Sequence, residues 1–158
     1  MHMIKPIMDF VSLFNVSVSL EASQIVRKEN RYFLINEDLK RILSKDFFYA
    51  GTYLGKIKNG KFFPSFSLLS MIAERKANKM VVDKKTEWLF ICGRDVFKQG
   101  ITKVMGSKRK GDYALILNHH DECLGFGKIL GRLDKEKEVV IKNIVDIGDF
   151  LRRERRHV

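Results

Sequence analysis

The second half of the fold is decided by residues 111–128, which read GDYALILNHHDECLGFGK. β-forming apolar residues dominate 112–118, and a second apolar run starts at Cys123 and extends over 123–132. The polar turn between the two runs predicts a β-hairpin. Outside the hairpin, further strands are predicted at 79–82, 88–92, 101–104 and 138–147. Short strands at this spacing, with glycine at the turns, predict a small barrel.

One short helix is predicted inside this barrel, over about 94–99 and ending at Gly100. Upstream, Ile4, Ile7, Met8 and Val11 recur at helical spacing and predict a helix over 3–14. The remaining N-terminal elements follow from β-forming runs, an Asn36 cap and the Asn59-Gly60 turn. They are strands at 23–28, 31–36, 47–57 and 61–64, a short helix from Asn36 to Ser44, and a helix over 67–76.

Together these elements predict an α+β protein. An antiparallel sheet with flanking helices comes first, and the barrel follows. Composition shifts at Arg75-Lys76-Ala77-Asn78-Lys79, so we expect two domains, 1–77 and 78–158.

The charge of the chain is strongly basic. Thirty Lys and Arg residues against 19 Asp and Glu give a net charge of +11. Five cations and no acid lie between Lys98 and Lys110, and four arginines and one glutamate lie between Phe150 and Val158. Such clusters indicate a polyanion partner, since counterion release favours phosphate binding. A lysine-rich bias that serves solubility is the alternative.

The cysteines and the apolar runs carry further expectations. Cys92 and Cys123 lie in apolar, strand-like contexts without metal-ligand spacing, so we expect two buried free thiols, no metal and no cofactor. No apolar run approaches the about 20 residues of a membrane span, and no signal peptide is recognisable. We expect a monomer with no membrane contact. Its location should be cytoplasmic in an archaeon, or nucleolar in a eukaryote.

Three segments of the second half resemble a PUA domain, the small pseudo-barrel of many RNA-modification and ribosome-assembly proteins. They are GRDVFKQGI at 93–101, the hairpin at 111–128, and VDIGDFLRR at 145–153.

The chain as a whole resembles the archaeal Nip-seven family of large-subunit ribosome-biogenesis factors. GTYLGK at 51–56, Leu68-Leu69, LGFG at 124–127 and DIGDFLR at 146–152 carry this resemblance, which covers most of 45–153. It implies two domains, RNA binding through the PUA half and a role in ribosomal RNA maturation. The implied partners are ribosomal RNA or the pre-ribosome, together with RNA-processing proteins.

The C-terminal arginines are the sharpest candidates for RNA contact. If this run is helical, Arg152 shares a face with Arg155 and Arg156, and Arg153 lies beside them. The planar guanidinium suits phosphate because it donates two parallel hydrogen bonds. A frayed basic tail that binds nothing specific is the alternative.

Gly100 is the second candidate, with Lys98 and Lys103 beside it. A glycine between a helix and a strand permits positive φ and the close approach of a phosphate or base. A plain helix C-cap would need the same residue. The loop Lys108-Arg109-Lys110 either extends this surface or is a solvated tip.

Most of the aromatic residues belong to the predicted core, and Phe97 and Phe150 are the two candidates for base stacking. His119 and His120 are interpreted as part of a polar turn, since adjacent strand residues face opposite sides. No catalytic grouping is recognisable, so we expect a non-catalytic RNA-binding factor. An RNA-modification protein or accessory subunit with a PUA appendage, and an adaptor that docks a processing factor through residues 1–78, are the alternatives.

Overall fold

The computed structural model describes residues 3–131, 133 and 138–154. The predicted α+β fold is confirmed: a four-stranded antiparallel sheet precedes a curled six-stranded half-barrel. The helices are α1 (Lys5–Ser12), α2 (Glu37–Ile42), α3 (Phe66–Ala73), α4 (Lys84–Ile91) and α5 (Ile147–Glu154). The strands are β1 (Ile25–Lys28), β2 (Arg31–Leu34), β3 (Thr52–Lys58), β4 (Lys61–Pro64), β5 (Lys79–Val82), β6 (Val96–Phe97), β7 (Ile101–Met105), β8 (Tyr113–Leu117), β9 (Cys123–Ile129) and β10 (Val139–Asp146).

The first sheet follows the sequence signals closely, and its strands lie in the order β1-β2-β3-β4. The side chain of Asn36 caps α2 by accepting a hydrogen bond of 2.8 Å from the Leu39 N–H. Asn59 and Gly60 both adopt positive φ, at 51° and 72°, as the tight turn between β3 and β4 requires.

One strand of this sheet starts later than predicted. Residues 47–51 were expected to open β3, but the strand begins at Thr52. The rings of Phe47 and Tyr49 pack across Phe33 instead, with centroids 5.6 and 5.2 Å away. Ring packing on one face of the sheet thus replaces strand pairing at the start of β3.

The second sheet has the order β6-β10-β9-β8-β5-β7, in which only β5 and β8 run parallel. The predicted hairpin of β8 and β9 is confirmed. Gly125 lies inside β9 with φ of +147°, and a Cβ there would come within 1.9 Å of the Val145 carbonyl oxygen. Only glycine lets β10 approach β9 this closely.

Two predicted elements of this half are wrong. Residues 88–92 were predicted as a strand, yet 84–91 form α4, which Asp83 caps by accepting a bond of 2.8 Å from the Thr86 N–H. A short apolar run does not distinguish strand from helix, and here Phe90 is buried while Trp88 is 68% exposed.

The helix predicted over 94–99 is also wrong, because Val96 and Phe97 pair with β10 as the edge strand β6 and only 98–100 form a 3₁₀ turn.

The expectation of two buried thiols is wrong for one cysteine. Cys92 follows the last turn of α4 and is exposed, because the segment is a helix end rather than a strand. Cys123 is partly buried, and burial raises the pKa of its thiol to about 11.

The hydrophobic core joins the two sheets. The rings of Phe10 and Phe14, from the α1 region, meet Phe126 of β9 edge-on, with centroids 5.4 and 5.5 Å away. The Asn78 N–H donates to the Phe14 carbonyl at 2.9 Å. The N-terminal helix therefore packs on the half-barrel, while the division at 77/78 stays a prediction. Among the described residues, no helix has the length and apolarity needed to cross a membrane.

Candidate nucleic-acid interface

Arg152 is held by the fold itself. One guanidinium nitrogen, Nη1, donates to the Ile91 carbonyl at the end of α4 over 2.8 Å. The other, Nη2, lies 3.4 Å from Oδ1 of Asp146, whose side chain is only 6% exposed. The same carboxylate oxygen accepts the Asp149 N–H at 2.7 Å and caps α5. Arg152 therefore ties α5 to α4 and neutralises a buried carboxylate.

The other C-terminal arginines differ from Arg152. Arg153 lies 2.9 Å from Asp149, one helical turn earlier, and both side chains are largely exposed. Such surface pairs contribute only about 0–1 kcal/mol, so a phosphate can compete for this guanidinium. Arg155 and Arg156 lie outside the described residues. RNA contact by these arginines stays a prediction, but Arg152 does not contribute the free guanidinium on which the predicted cluster depended.

The structure contradicts the positive φ and the helix C-cap predicted for Gly100, while RNA contact at this glycine stays a prediction. Its φ is not left-handed, and it closes a 3₁₀ turn rather than a regular helix. A Cβ at this position would lie 1.9 Å from Oγ1 and 2.8 Å from Cβ of Thr86. Its carbonyl accepts the Asp83 N–H at 2.9 Å. The glycine therefore allows α4 to contact the start of β7 directly.

A cavity of about 330 Å³ opens beside Gly100. It is lined by Asp83, Lys85, Thr86, Leu89, Asp95, Phe97, Gln99 and Gly100. Phe97 is 42% exposed, Lys85 is exposed in the first turn of α4, and Lys98 stands between the lining residues Phe97 and Gln99 in the sequence. We call this cavity and its rim, including Lys98, the Gly100 pocket.

The two carboxylates of the Gly100 pocket already have partners. Asp83 caps α4 through the Thr86 N–H, as described above. Asp95 accepts the Asn143 N–H at 2.9 Å and lies 3.6 Å from Nζ of Lys142. Because these interactions offset part of their charge, the carboxylates oppose an anion less than their number suggests.

Lys103 is exposed on β7, the edge strand that begins directly after Gly100. The loop cations Lys108, Arg109 and Lys110 are also exposed. Arg109 lies 3.5 Å from Asp112, which also accepts a hydrogen bond from the Ser107 hydroxyl. The loop is thus partly ordered by its own carboxylate.

Phe150 is 53% exposed, but its ring lies edge-on to Phe66 of α3 with centroids 6.2 Å apart. Phe97, whose exposed ring lines the pocket, is the better stacking candidate of the two. His119 and His120 do lie in a turn, between β8 and β9, but the expectation that they face opposite sides is wrong, because their ring centroids are 3.8 Å apart. Within the described part of the chain, no group of three or more His, Cys, Asp and Glu could hold a metal ion.

Sequence reasoning missed Lys85 because the segment before residue 88 was given no helix. Asp83 followed by Lys-Lys-Thr-Glu is a helix start: an N-cap carboxylate precedes the first turn, with Glu87 close behind. This signal was present in the sequence and places Lys85 in the first turn of α4.

This curled sheet, closed by α4, α5 and the turn at Gly100, is the fold of a PUA-domain protein. The family model described as UPF0113 PUA domain matches residues 78–155, so the C-terminal half of the chain carries the family likeness in sequence as well.

Two curated proteins have similar sequences. A UPF0113 protein of Archaeoglobus fulgidus is 25% identical over 115 residues, which are 70% of this chain and 65% of that protein. The tRNA-guanine(15) transglycosylase of Methanosphaera stadtmanae is 27% identical over 113 residues, 72% of this chain but 15% of the enzyme. The chain thus matches less than two thirds of the length of either relative.

Solved structures share the fold. A conserved PUA domain protein from Thermoplasma acidophilum superposes with a TM-score of 0.62 at 17% identity, over 97% of this chain and 94% of that one. A PUA domain from Aeropyrum pernix gives 0.50 at 21% identity, over 59% and 56%. At these identities the likeness concerns the fold alone.

Proposed function

We propose that this protein is a non-catalytic RNA-binding factor of ribosomal RNA processing and large-subunit assembly. It acts in the cytoplasm as a monomer and contacts RNA through its PUA domain. Its N-terminal half docks partner proteins. The observation that carries the proposal is the Gly100 pocket, whose lining includes the exposed Phe97 and Lys85, with Lys98 next to Phe97 in the chain.

The chemistry of the Gly100 pocket suits an unpaired nucleotide. Any of the four bases can stack on an exposed aromatic ring, and ammonium groups nearby neutralise the flanking phosphates. The net charge of +11 adds a long-range attraction for the polyanion. Specificity would then come from RNA shape and from the partner proteins.

A titration of labelled single-stranded RNA against the full chain, repeated over a salt series, tests the binding half of the proposal. Changing Lys85→Ala and Lys98→Ala together should reduce the log–log salt slope by about 1.4, since each phosphate contact to a single strand contributes about 0.7. Lys5→Ala with Lys76→Ala, which removes the same charge elsewhere, is the control. Equal salt slopes for the two double variants would reject the Gly100 pocket as the RNA-binding site.

The assembly role rests on the family resemblance and needs a cellular experiment. Crosslinking in cells followed by sequencing of the attached RNA should recover precursors of large-subunit ribosomal RNA above other transcripts. Recovery of transfer RNA alone would count against assembly and in favour of the second candidate.

That second candidate is an accessory subunit or stand-alone protein of RNA modification. The likeness to 15% of a tRNA-guanine(15) transglycosylase favours it, because a similar module is there part of an enzyme of RNA modification. Mass spectrometry of nucleosides, after incubating RNA with the purified protein and common group donors, separates the two. The assembly factor should leave the nucleosides unchanged.

A further inference from the structure

The four-stranded sheet has one face in the core and one face outside. Tyr32 and Leu54 are buried in the core cluster. Residues directly opposite each other in a ladder share a face. The register pairs Lys28 with Arg31, Arg31 with Lys56, Phe33 with Tyr53, and Lys56 with Phe63. We call this set, with the loop 47–49 that crosses it, the outer face.

Aromatic rings cover the middle of the outer face. Phe33 is fully buried beneath Phe47, Tyr49 and Tyr53, whose centroids lie 5.6, 5.2 and 5.6 Å from its own. Above it, Phe48 is 79% exposed and Tyr49 is 60% exposed. Tyr49 is thus held at the surface against Phe33, and Phe48, its neighbour in the chain, is exposed with its ring beside the Arg31 guanidinium. Single exposed apolar residues are ordinary, whereas neighbouring exposed rings favour an interaction surface.

The cations of the outer face are arranged around these rings. The guanidinium carbon of Arg31 lies 4.6 Å from the ring centroid of Phe48 and 5.6 Å from that of Phe33. Within residues 3–131, 133 and 138–154, no ion pair includes Arg31. A guanidinium stacked on a ring keeps its N–H donors in the plane, where they can reach a phosphate.

Lys28 has a different task. Its Nζ donates to the Lys45 carbonyl at 2.9 Å, lies 3.7 Å from Asp46 and lies 5.9 Å from the Phe47 ring. It therefore anchors the start of the loop that carries Phe48. Arg31 and the exposed Lys56 are the cations of the outer face that stay available to a ligand.

We infer that the outer face is a second RNA-binding site, in which bases of a single strand stack on Phe48 and Tyr49 and Arg31 binds a phosphate. The outer face carries Lys28, Arg31 and Lys56 and no acidic residue among its paired strand positions, which favours RNA over a protein partner. Lysine is also depleted in protein–protein interfaces, whereas alternation of rings and cations is typical of single-strand binding. The inference takes its ligand class from the proposed function but uses a different surface.

The first test measures the affinity of the full chain for a fluorescein-labelled single strand of twelve uridines by anisotropy. Phe48→Ala should weaken binding by about five- to 150-fold, which corresponds to the loss of one stacked base. Phe48→Leu, which keeps an apolar side chain without the ring, should also weaken it. Ile42→Ala is the matched control, because Ile42 has the same 79% exposure and lies at the end of α2. Wild-type affinity in both Phe48 variants would overturn the inference.

Arg31 gives an independent readout. Arg31→Ala should lower the log–log salt slope by about 0.7, whereas Phe48→Ala should lower affinity with the slope unchanged. Arg31→Lys should keep the slope but bind more weakly, since an ammonium does not stack. Urea unfolding of each variant checks that the sheet is intact. An unchanged salt slope in a folded Arg31→Ala variant would show that Arg31 does not contact a phosphate.

Crosslinking separates this inference from the proposed function. Irradiation of a 4-thiouridine strand bound to the full chain should leave adducts on the tryptic peptide 46–56, which holds Phe48 and Tyr49. If Lys85→Ala/Lys98→Ala weakens binding, while Phe48→Ala does not and the peptide carries no adduct, the proposed function stands and the inference fails. If only the Phe48 variants weaken binding, the inference stands without the Gly100 pocket. The inference is also overturned if the outer face binds a protein but does not bind RNA.

Discussion

Changing Gly100→Ala perturbs the contact between α4 and the start of β7. The added Cβ would lie 1.9 Å from Oγ1, 2.8 Å from Cβ and 2.9 Å from Cγ2 of Thr86. Real Cβ atoms essentially never come this close to a neighbour, and Thr86 is itself 8% exposed, so α4 must shift or the threonine must leave its place. Overpacking of this kind costs about 1–3 kcal/mol.

The free energy of unfolding can be measured by urea titration, with the fluorescence of the single tryptophan, Trp88, and far-UV circular dichroism as probes. Gly131→Ala is the matched control, because, among the described residues and apart from its chain neighbours, no atom lies within 4 Å of a Cβ at that glycine. We expect Gly100→Ala to lower the free energy of unfolding by about 1–3 kcal/mol and Gly131→Ala to leave it within about 0.5 kcal/mol.

Thr86→Ala removes two of the three clashing atoms. Combined with Gly100→Ala, it should recover part of the loss, with a coupling energy of about 0.5–3 kcal/mol. The reasoning would be refuted if Gly100→Ala cost no more than Gly131→Ala, or if the two changes in the double variant were simply additive. Either result would mean that Gly100 is present for a reason other than the contact with α4.

Three further predictions concern single side chains. Arg152→Met should lower the free energy of unfolding by about 1–2 kcal/mol in urea titrations, because it leaves the buried Asp146 carboxylate with one partner fewer. Arg153→Met, which removes only a surface pair, should change the free energy of unfolding by less than about 0.5 kcal/mol. Equal effects of the two substitutions would contradict the structural role of Arg152. In native protein, Ellman's reagent should modify exposed Cys92 well before Cys123. The pKa of about 11 of the Cys123 thiol leaves about one thiolate in a thousand at pH 8. Peptide mapping that finds Cys123 modified first would contradict the burial of this thiol. Burial raises the pKa of Tyr53 above 10, so its contribution to stability is fully present below pH 10 and is lost as the pH rises through the folded value. In absorbance titrations at 295 nm, the ionisation step that Tyr53→Phe removes should lie above pH 10, and a lost step at or below pH 10 would contradict this.

The candidate site was only partly visible before the fold was known. Lys98, Gly100 and Lys103 were found from a charge cluster and a glycine, and the structure places the three around the start of β7. Lys85 was missed because α4 was predicted as a strand. The arginine prediction assumed free guanidinium groups, yet Arg152 has partners at Ile91 and Asp146 that lie 61 and 6 residues away in the chain. A partner 61 residues away, such as Ile91, leaves no local pattern.

The sequence by itself determined the elements whose signals are local: the Asn36 cap, the Asn59-Gly60 turn, the β8–β9 hairpin and the excess of positive charge. These depend on backbone preferences and on neighbours within a few residues. Only the tertiary structure decided that 84–91 is a helix, that Gly100 contacts Thr86, and that Arg31 lies over the rings of Phe33 and Phe48. A short apolar run is compatible with both helix and strand, and a charged side chain takes its role from whatever distant group the fold brings beside it.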